Sequence, residues 1–221
     1  MQILYIFLVI LFILLICKCL NKEKFETRGN TLDYQQDEIF GIINTDGKYR
    51  NYIPQGFSVG KESGDYYVSA YHKYETSDNE KGYNSTQKSK IFRINPNTEK
   101  IVKVYNLIDQ KVGAHVGGLV VFENKNQMIM SYNNSKKGIA VYNTEAANNS
   151  SKLQVDIEAD DDLIIDKSQL DDDCLGDSKS TSYLGWDSFN KLLYYGRFDS
   201  EADMSSVCNT SPKLENNKWV L

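Results

Sequence analysis

Histidine is nearly missing from this chain, at 2 of 221 residues, and cysteine stands at 4 with no Cys-x-x-Cys pair. Zinc centres draw on clustered His and Cys, so this sequence has too few ligands for one. A basic stripe is missing as well. Lys and Arg number 25 against 30 Asp and Glu, scattered through turn-like segments, for a net charge of −5 and a pI near 5.2. Nucleic-acid binding needs clustered cations to neutralise phosphates, so no nucleic-acid partner is expected. Proline is scarce too, at 3 residues, while tyrosine reaches 15. Tyr favours strands, and hydrophobic residues at 41% suffice for a packed β core in one domain plus an anchor.

What the chain does contain is a repeat. Its clearest copy is Gly117 to Tyr132, GGLVVFENKNQMIMSY; an earlier copy is Gln55 to Tyr71, QGFSVGKESGDYYVSAY, and a later one Leu184 to Phe198, LGWDSFNKLLYYGRF. Gly56, Gly118 and Gly185 fall in register, and so do Tyr71, Tyr132 and Phe198. Within each copy, two runs rich in Val, Ile, Tyr and Phe flank Gly, Asn or Asp, the chemistry of a hairpin. The leading glycine is suited to a close approach of backbones or to a bulge.

A second hairpin follows the first two copies. Ile91 to Ile94 leads to Ile101 to Leu107, and Gly138 to Tyr142 leads to Leu153 to Ile157. Two hairpins make the four strands of one propeller blade. The third copy has only Ser206 to Cys208 and Trp219 to Leu221 for its outer strands.

The runs PQGFSV, YYVSAY, SKIFRINPNTEKIVKVYNL, AHVGGLVV and TSYLGWDSFNKLLYYGRF resemble secreted or membrane-tethered β-propeller proteins of the NHL and YVTN general type, over Pro54 to Phe198. The resemblance implies an all-β fold with β-propeller-like, four-stranded blades, about three of them legible, and implies little about activity. Closed propellers have about 4–8 blades, so the expectation is a partial ring, a truncated one, or one completed by a homo-oligomer.

Taken in order, the chain opens with Met1 to Leu20, uncharged until Lys18. Its 17 to 20 residues match a hydrocarbon core of about 30 Å at about 1.5 Å per residue. It lacks the basic start and small cleavage-site residues of a signal peptide, and reads as an uncleaved, single-pass transmembrane signal anchor. Orientation stays open. Lys18, Lys22, Lys24 and Arg28 follow the span and place the domain in the cytoplasm by the positive-inside rule. The likeness to secreted propellers, and glycosylation sequons at Asn84, Asn133, Asn148, Asn149 and Asn209, point to the lumenal or extracellular side.

Residues 21–37 read as a polar tether, and 38–221 as the β-propeller-like domain. Within that domain Glu38 to Ile53 is expected to be a first hairpin around Asp46-Gly47, and Thr76 to Lys90 a long polar loop.

Asp156 to Asp177 is the one strong shift in composition. Its carboxylates, with Asp160, Asp162, Asp171 and Asp173 as candidate ligands, suit calcium. The EF-hand order of acids and glycine is missing, which favours a solvated acidic insertion. Cys174 and Cys208 flank the third repeat and can form a disulfide in an oxidising compartment, or stay reduced in a cytosol.

No residue set amounts to a catalytic signature. Gly56-Phe57-Ser58-Val59-Gly60 matches G-x-S-x-G, but no helix-like period follows as a nucleophile elbow needs. Ser58 therefore reads as a strand residue. His72 and His115 are the only histidine bases. Inner-strand starts gather at a propeller mouth, so Gln55, His115, Tyr183 and Asp187 are the candidate ligand-binding set. The expected function is non-enzymatic binding of a protein or glycan by a membrane-tethered module. The alternatives are a metal-dependent hydrolase of lactonase or esterase kind centred on His115, and a truncated propeller without activity.

Overall fold

The computed structural model describes residues 49, 51–72, 87–112, 114–133, 137–166, 181–197, 206–211, 213–215 and 218–220. The chain divides into Met1–Glu38 and Ile39–Leu221, and every described residue belongs to the second unit. The apolar run 1–20, the tether, the hairpin expected at 38–53 except its last residues, and most of the 76–90 loop lie outside the described residues. Among the described residues no helix is long and apolar enough to cross a membrane.

Strand β1 (Tyr52–Val59) pairs antiparallel with β2 (Tyr66–His72), β2 with β3 (Lys90–Asn95), and β3 with β4 (Lys100–Leu107). The turns carry the chemistry the sequence announced. Gly64 sits at φ 73° between β1 and β2, where a glycine has no Cβ to clash. The Asn95 carboxamide oxygen accepts from the backbone N–H of Asn97 and Thr98. Tyr52 and Ile53, expected in an earlier hairpin, instead open β1.

The second repeat forms β5 (Leu119–Phe122), β6 (Gln127–Asn133) and β7 (Lys137–Asn143). A 3-10 turn at Glu123–Lys125 joins β5 to β6, closed by Asn126 at φ 50°. The third repeat forms β10 (Tyr183–Asp187), β11 (Leu192–Arg197) and β12 (Ser206–Thr210). Among the described residues a last hairpin, β13 (Lys213–Glu215) with β14 (Lys218–Val220), pairs only within itself. The expectation that 219–221 adds an outer strand to the third sheet is therefore corrected.

The outer edges differ from expectation in a second way. Leu153 to Ile157 was to pair with β7. Instead β8 (Gln154–Ile157) lies parallel to β4 as the fifth strand of the first sheet, Val104 opposite Gln154 and Leu107 opposite Ile157. A short helix, α1 (Glu145–Asn149), turns the chain back toward that sheet. The Lys103 ammonium then holds it there, donating to the Ser150 and Lys152 carbonyls at 2.6 and 3.0 Å, and Asn106 donates to Asp156 at 2.7 Å. The place beside β7 goes to β9 (Ala159–Asp166). The first half of the acidic segment is thus strand rather than insertion. Its Leu163, Ile164 and Ile165 supply the apolar run, with Ile165 opposite Ile139 and Ile164 opposite Ala140.

Strand alternation sends side chains to both faces of these sheets. Met128, Met130 and Tyr132 meet Tyr67, Ile91, Tyr105 and Leu107 of the first sheet. Ile129, Ile139 and Val141, on the opposite face, meet Leu193, Tyr195 and Cys208 of the third. Phe92, Val104, Val68 and Tyr52 form a further cluster on the outer face of the first sheet. Each fully buried side chain of this size stabilises by about 1.5–3 kcal/mol, so the three sheets are held face to face as a stack.

The innermost strands touch through backbone. A Cβ on Gly56 would lie 1.7 Å from the Gly117 carbonyl oxygen, one on Gly117 1.9 Å from the Ser182 oxygen, and one on Gly118 2.1 Å from the Leu184 nitrogen. No side chain fits at those three points. Around Gly185 no described atom lies within 4 Å of the same position.

Candidate functional site

The starts and the ends of β1, β5 and β10 form two different surfaces. At the starts, a β-bulge between Pro54 and Gly56 leaves Gln55 without a partner on β2, and such a bulge re-aims a side chain. The Gln55 carboxamide oxygen lies 3.1 Å from His115 Nδ1. The His115 ring stacks on Tyr71 at 4.1 Å between centroids, with the planes 23° apart. Two members of the expected set are therefore together. Tyr183 belongs to the same end, since its backbone passes beside Gly118. His72, at the end of β2, packs edge-on against Tyr52, and burial together with Lys90 pushes its imidazole pKa down.

Asp187 is the exception. It closes β10 opposite Leu192, at the turn end of the strand. Its carboxylate accepts from the N–H groups of Phe189 and Asn190 at 2.8 and 3.0 Å and from the Asn190 side chain at 2.7 Å. Those bonds hold its pKa below the ordinary value. An Asp two and three residues before the groups it caps is a turn former, and that explains why this acid is not at the mouth with His115.

The ligands considered for calcium are spread differently. Asp160 is exposed on β9 and Asp162 lies on the same strand, while Asp171 and Asp173 lie outside the described residues. Among the described residues no three His, Cys, Asp or Glu side chains are placed to hold a metal ion. Cys208 is disulfide-bonded and buried beside Leu193 and Tyr195; Cys174 lies outside the described residues. Of the sequon asparagines, Asn148 is consumed internally. It accepts from the Tyr105 hydroxyl at 2.6 Å and donates to Asn126 and Thr144.

Toward the turn ends of the same three strands a groove of about 470 Å³ opens between them. Phe57, Val59, Val121, Phe122 and Trp186 supply its apolar surface. Phe57 and Val59 are 49% and 50% exposed, unusual for inner-strand residues of this type. Phe122 meets Trp186 edge to face at 5.1 Å. Ser58, the would-be nucleophile, lines this groove from near the end of β1, opposite Tyr67, and a turn and strand β2 follow it rather than a helix. The elbow geometry of a serine hydrolase is therefore not formed.

Glu123 is the acid most embedded in the groove wall, and its oxygens are occupied. They accept from the N–H groups of Glu62 and Ser63 at 2.8 and 3.0 Å, from the Ser63 hydroxyl at 2.5 Å and from the Tyr67 hydroxyl at 2.9 Å. Arg93 approaches at 3.7 Å while its Nε donates to Asp65 at 2.6 Å. Burial pushes the Glu123 pKa up, but the bonds from Ser63, Tyr67 and Glu62 outweigh it and hold the carboxyl below its ordinary value. A carboxylate so held is a clasp between the turns of two sheets and a poor proton donor. Nothing in the sequence marked it, because its partners lie about 60 residues away.

No protein-family model matches the chain, and no curated protein matches it in sequence. Among solved structures, a GH43 β-1,3-galactosidase determined with galactodeoxynojirimycin is similar over 90% of this chain and 52% of that one, at 10% identity and a TM-score of 0.45. The chain thus spans about half the length of that enzyme. The described residues form a mostly β-strand fold of three stacked sheets, with a groove at the turn ends of their inner strands.

Proposed function

We propose that this chain is a non-enzymatic, propeller-like binding module, tethered to a membrane through Met1–Leu20, whose ligand lies in the groove at the turn ends of β1, β5 and β10. The groove itself carries the reading. It combines half-exposed Phe57 and Val59 with Trp186, and its volume falls within the roughly 300–1,000 Å³ of small-ligand sites. Its embedded acid is consumed by the clasp, which leaves binding rather than proton transfer as what the walls can do. A partner would be gripped by the apolar faces and oriented by the polar groups of the turns.

The test is a titration of the full-length chain in detergent with a panel of oligosaccharides and short peptides, followed by amide chemical shifts. Shifts clustered at Phe57, Val121 and Trp186 are expected. Shifts confined to Gln55, Tyr71 and His115 would move the site to the other end. Calcium-stimulated lactone or ester turnover lost in His115→Ala would replace the binding reading with the hydrolase.

A further inference from the structure

Two of the sequon asparagines are open to solvent, and a third is not. Asn149, at the end of α1, and Asn209, on β12, are exposed, and so are Ser151 and Ser211, which complete their sequons. Among the described residues neither asparagine side chain has a hydrogen-bond partner. Asn148 differs from Asn149 by one position, and its carboxamide is taken up by Tyr105, Asn126 and Thr144.

Asn209 sits on an uncovered surface. Cys208 and Tyr195 point toward the second sheet, so Val207, Asn209 and Tyr194 stand on the face turned away from it. Tyr194 lies directly opposite Asn209, and Gly185 directly opposite Tyr194; such cross-strand partners share a face. Val207 is 61% exposed there. A Cβ at Gly185 would meet no described atom within 4 Å, which leaves a shallow space beside the Tyr194 ring. Among the described residues β12 is also the last strand of its sheet, and an open edge invites unwanted strand pairing.

Cys208 supplies a separate observation. It is disulfide-bonded. Disulfides persist in secretory compartments and outside the cell, whereas a cytosol keeps thiols reduced. The same compartments are those in which Asn-x-Ser/Thr is an acceptor for glycans.

From exposure, sequon and disulfide together we infer that Asn149 and Asn209 carry N-linked glycans, on a domain held at the lumenal or extracellular side of its membrane. The donor is a lipid-linked oligosaccharide diphosphate. The asparagine Nδ2 bonds to the anomeric carbon of the first sugar, and the bond from that carbon to the diphosphate oxygen breaks. The lipid diphosphate leaves, and one Nδ2 proton passes to a base of the transferase. Nothing is oxidised or reduced. On Asn209 the first sugar lies over the Tyr194 ring toward Gly185, and the rest of the glycan shields Val207 and the β12 edge. The groove is not involved, since neither asparagine lines it.

The experiment uses the full-length chain expressed in eukaryotic cells and purified in detergent. Free thiols are alkylated before reduction. An N-glycanase in heavy-oxygen water then converts each glycosylated Asn to a mass-labelled Asp, which peptide masses locate. Label is expected at Asn149 and Asn209 and not at Asn148, with Cys208 protected from alkylation. Asn149→Gln and Ser211→Ala should each remove one glycan, and thermal melts check each fold. Tyr194→Ala should leave Asn209 labelled but speed removal of its glycan from the native chain severalfold.

No label at Asn149 or at Asn209, or label at Asn148, would overturn the assignment of sites. Missing label with Cys208 oxidised would overturn the glycans and keep the compartment; missing label with Cys208 alkylated would overturn both. An unchanged removal rate in Tyr194→Ala would overturn the placement of the sugar on that ring. None of these outcomes bears on the groove, whose ligand titration is read separately.

Discussion

Ser63, in the turn of the first sheet, gives both its backbone N–H and its hydroxyl to the carboxylate of Glu123, in the turn of the second, at 3.0 and 2.5 Å. One glutamate thereby joins two walls of the groove. Its folded pKa lies below the ordinary 4.5, so its stabilisation is fully present above that pH and is lost as pH falls through the lower, folded value. Glu123→Gln is expected to cost about 2 kcal/mol at neutral pH, the scale of hydrogen bonds to a charged group. It should also flatten the acid limb of stability against pH. Chemical denaturation of both proteins from pH 7 to 3 measures this; parallel pH curves would show that the clasp does not titrate as described.

Arg93 holds the other side of the same network. It pairs with Asp65, which is 4% exposed, and its guanidinium lies over the Tyr67 ring at 5.5 Å. Arg93→Met leaves Asp65 as an uncompensated buried charge and should cost about 3–5 kcal/mol. Arg93→Lys should recover only part of that, because one ammonium cannot reproduce the planar fork. Denaturation midpoints of the two variants test the order; a silent Arg93→Met would contradict it.

The parallel strand β8 makes a prediction that separates it from the hairpin its sequence suggests. Val155 lies opposite Tyr105 of β4. Val155→Pro removes a ladder donor, so hydrogen exchange should accelerate at Val104 to Leu107 while Gly138 to Tyr142 stays protected. Acceleration confined to β7 would restore the simple hairpin.

Much of the architecture was legible, because it is written in short-range pattern. The hairpins β1–β2, β3–β4, β5–β6 and β10–β11 each consist of two apolar runs around Gly, Asn or Asp, and local chemistry decides them. The misassigned elements are those decided at long range. Gln154 to Ile157 alternates equally well beside β7 or β4, and Lys103 and Asn106, distant in sequence, choose β4. The run of aspartates from Asp160 hid the apolar core of β9, Leu163 to Ile165.

At the site, the contact between Gln55 and His115 follows from both lying near the starts of inner strands, at the end away from the groove, where the bulge in β1 re-aims Gln55. Asp187 was misplaced because it closes its strand instead. The groove went unread because its walls come from three hairpins that are far apart in sequence.

The inner strands meet backbone to backbone at Gly56, Gly117 and Gly118, and the groove opens toward their turn ends. The most direct test is the stability of Gly56→Ala against Gly185→Ala. A methyl group at Gly56 collides with the Gly117 carbonyl, whereas the same group at Gly185 meets no described atom within 4 Å. The account predicts a loss above the roughly 1–3 kcal/mol of ordinary overpacking for Gly56→Ala, and a change within about 1 kcal/mol, of either sign, for Gly185→Ala. Equal losses at the two positions, or a neutral Gly56→Ala, would contradict it.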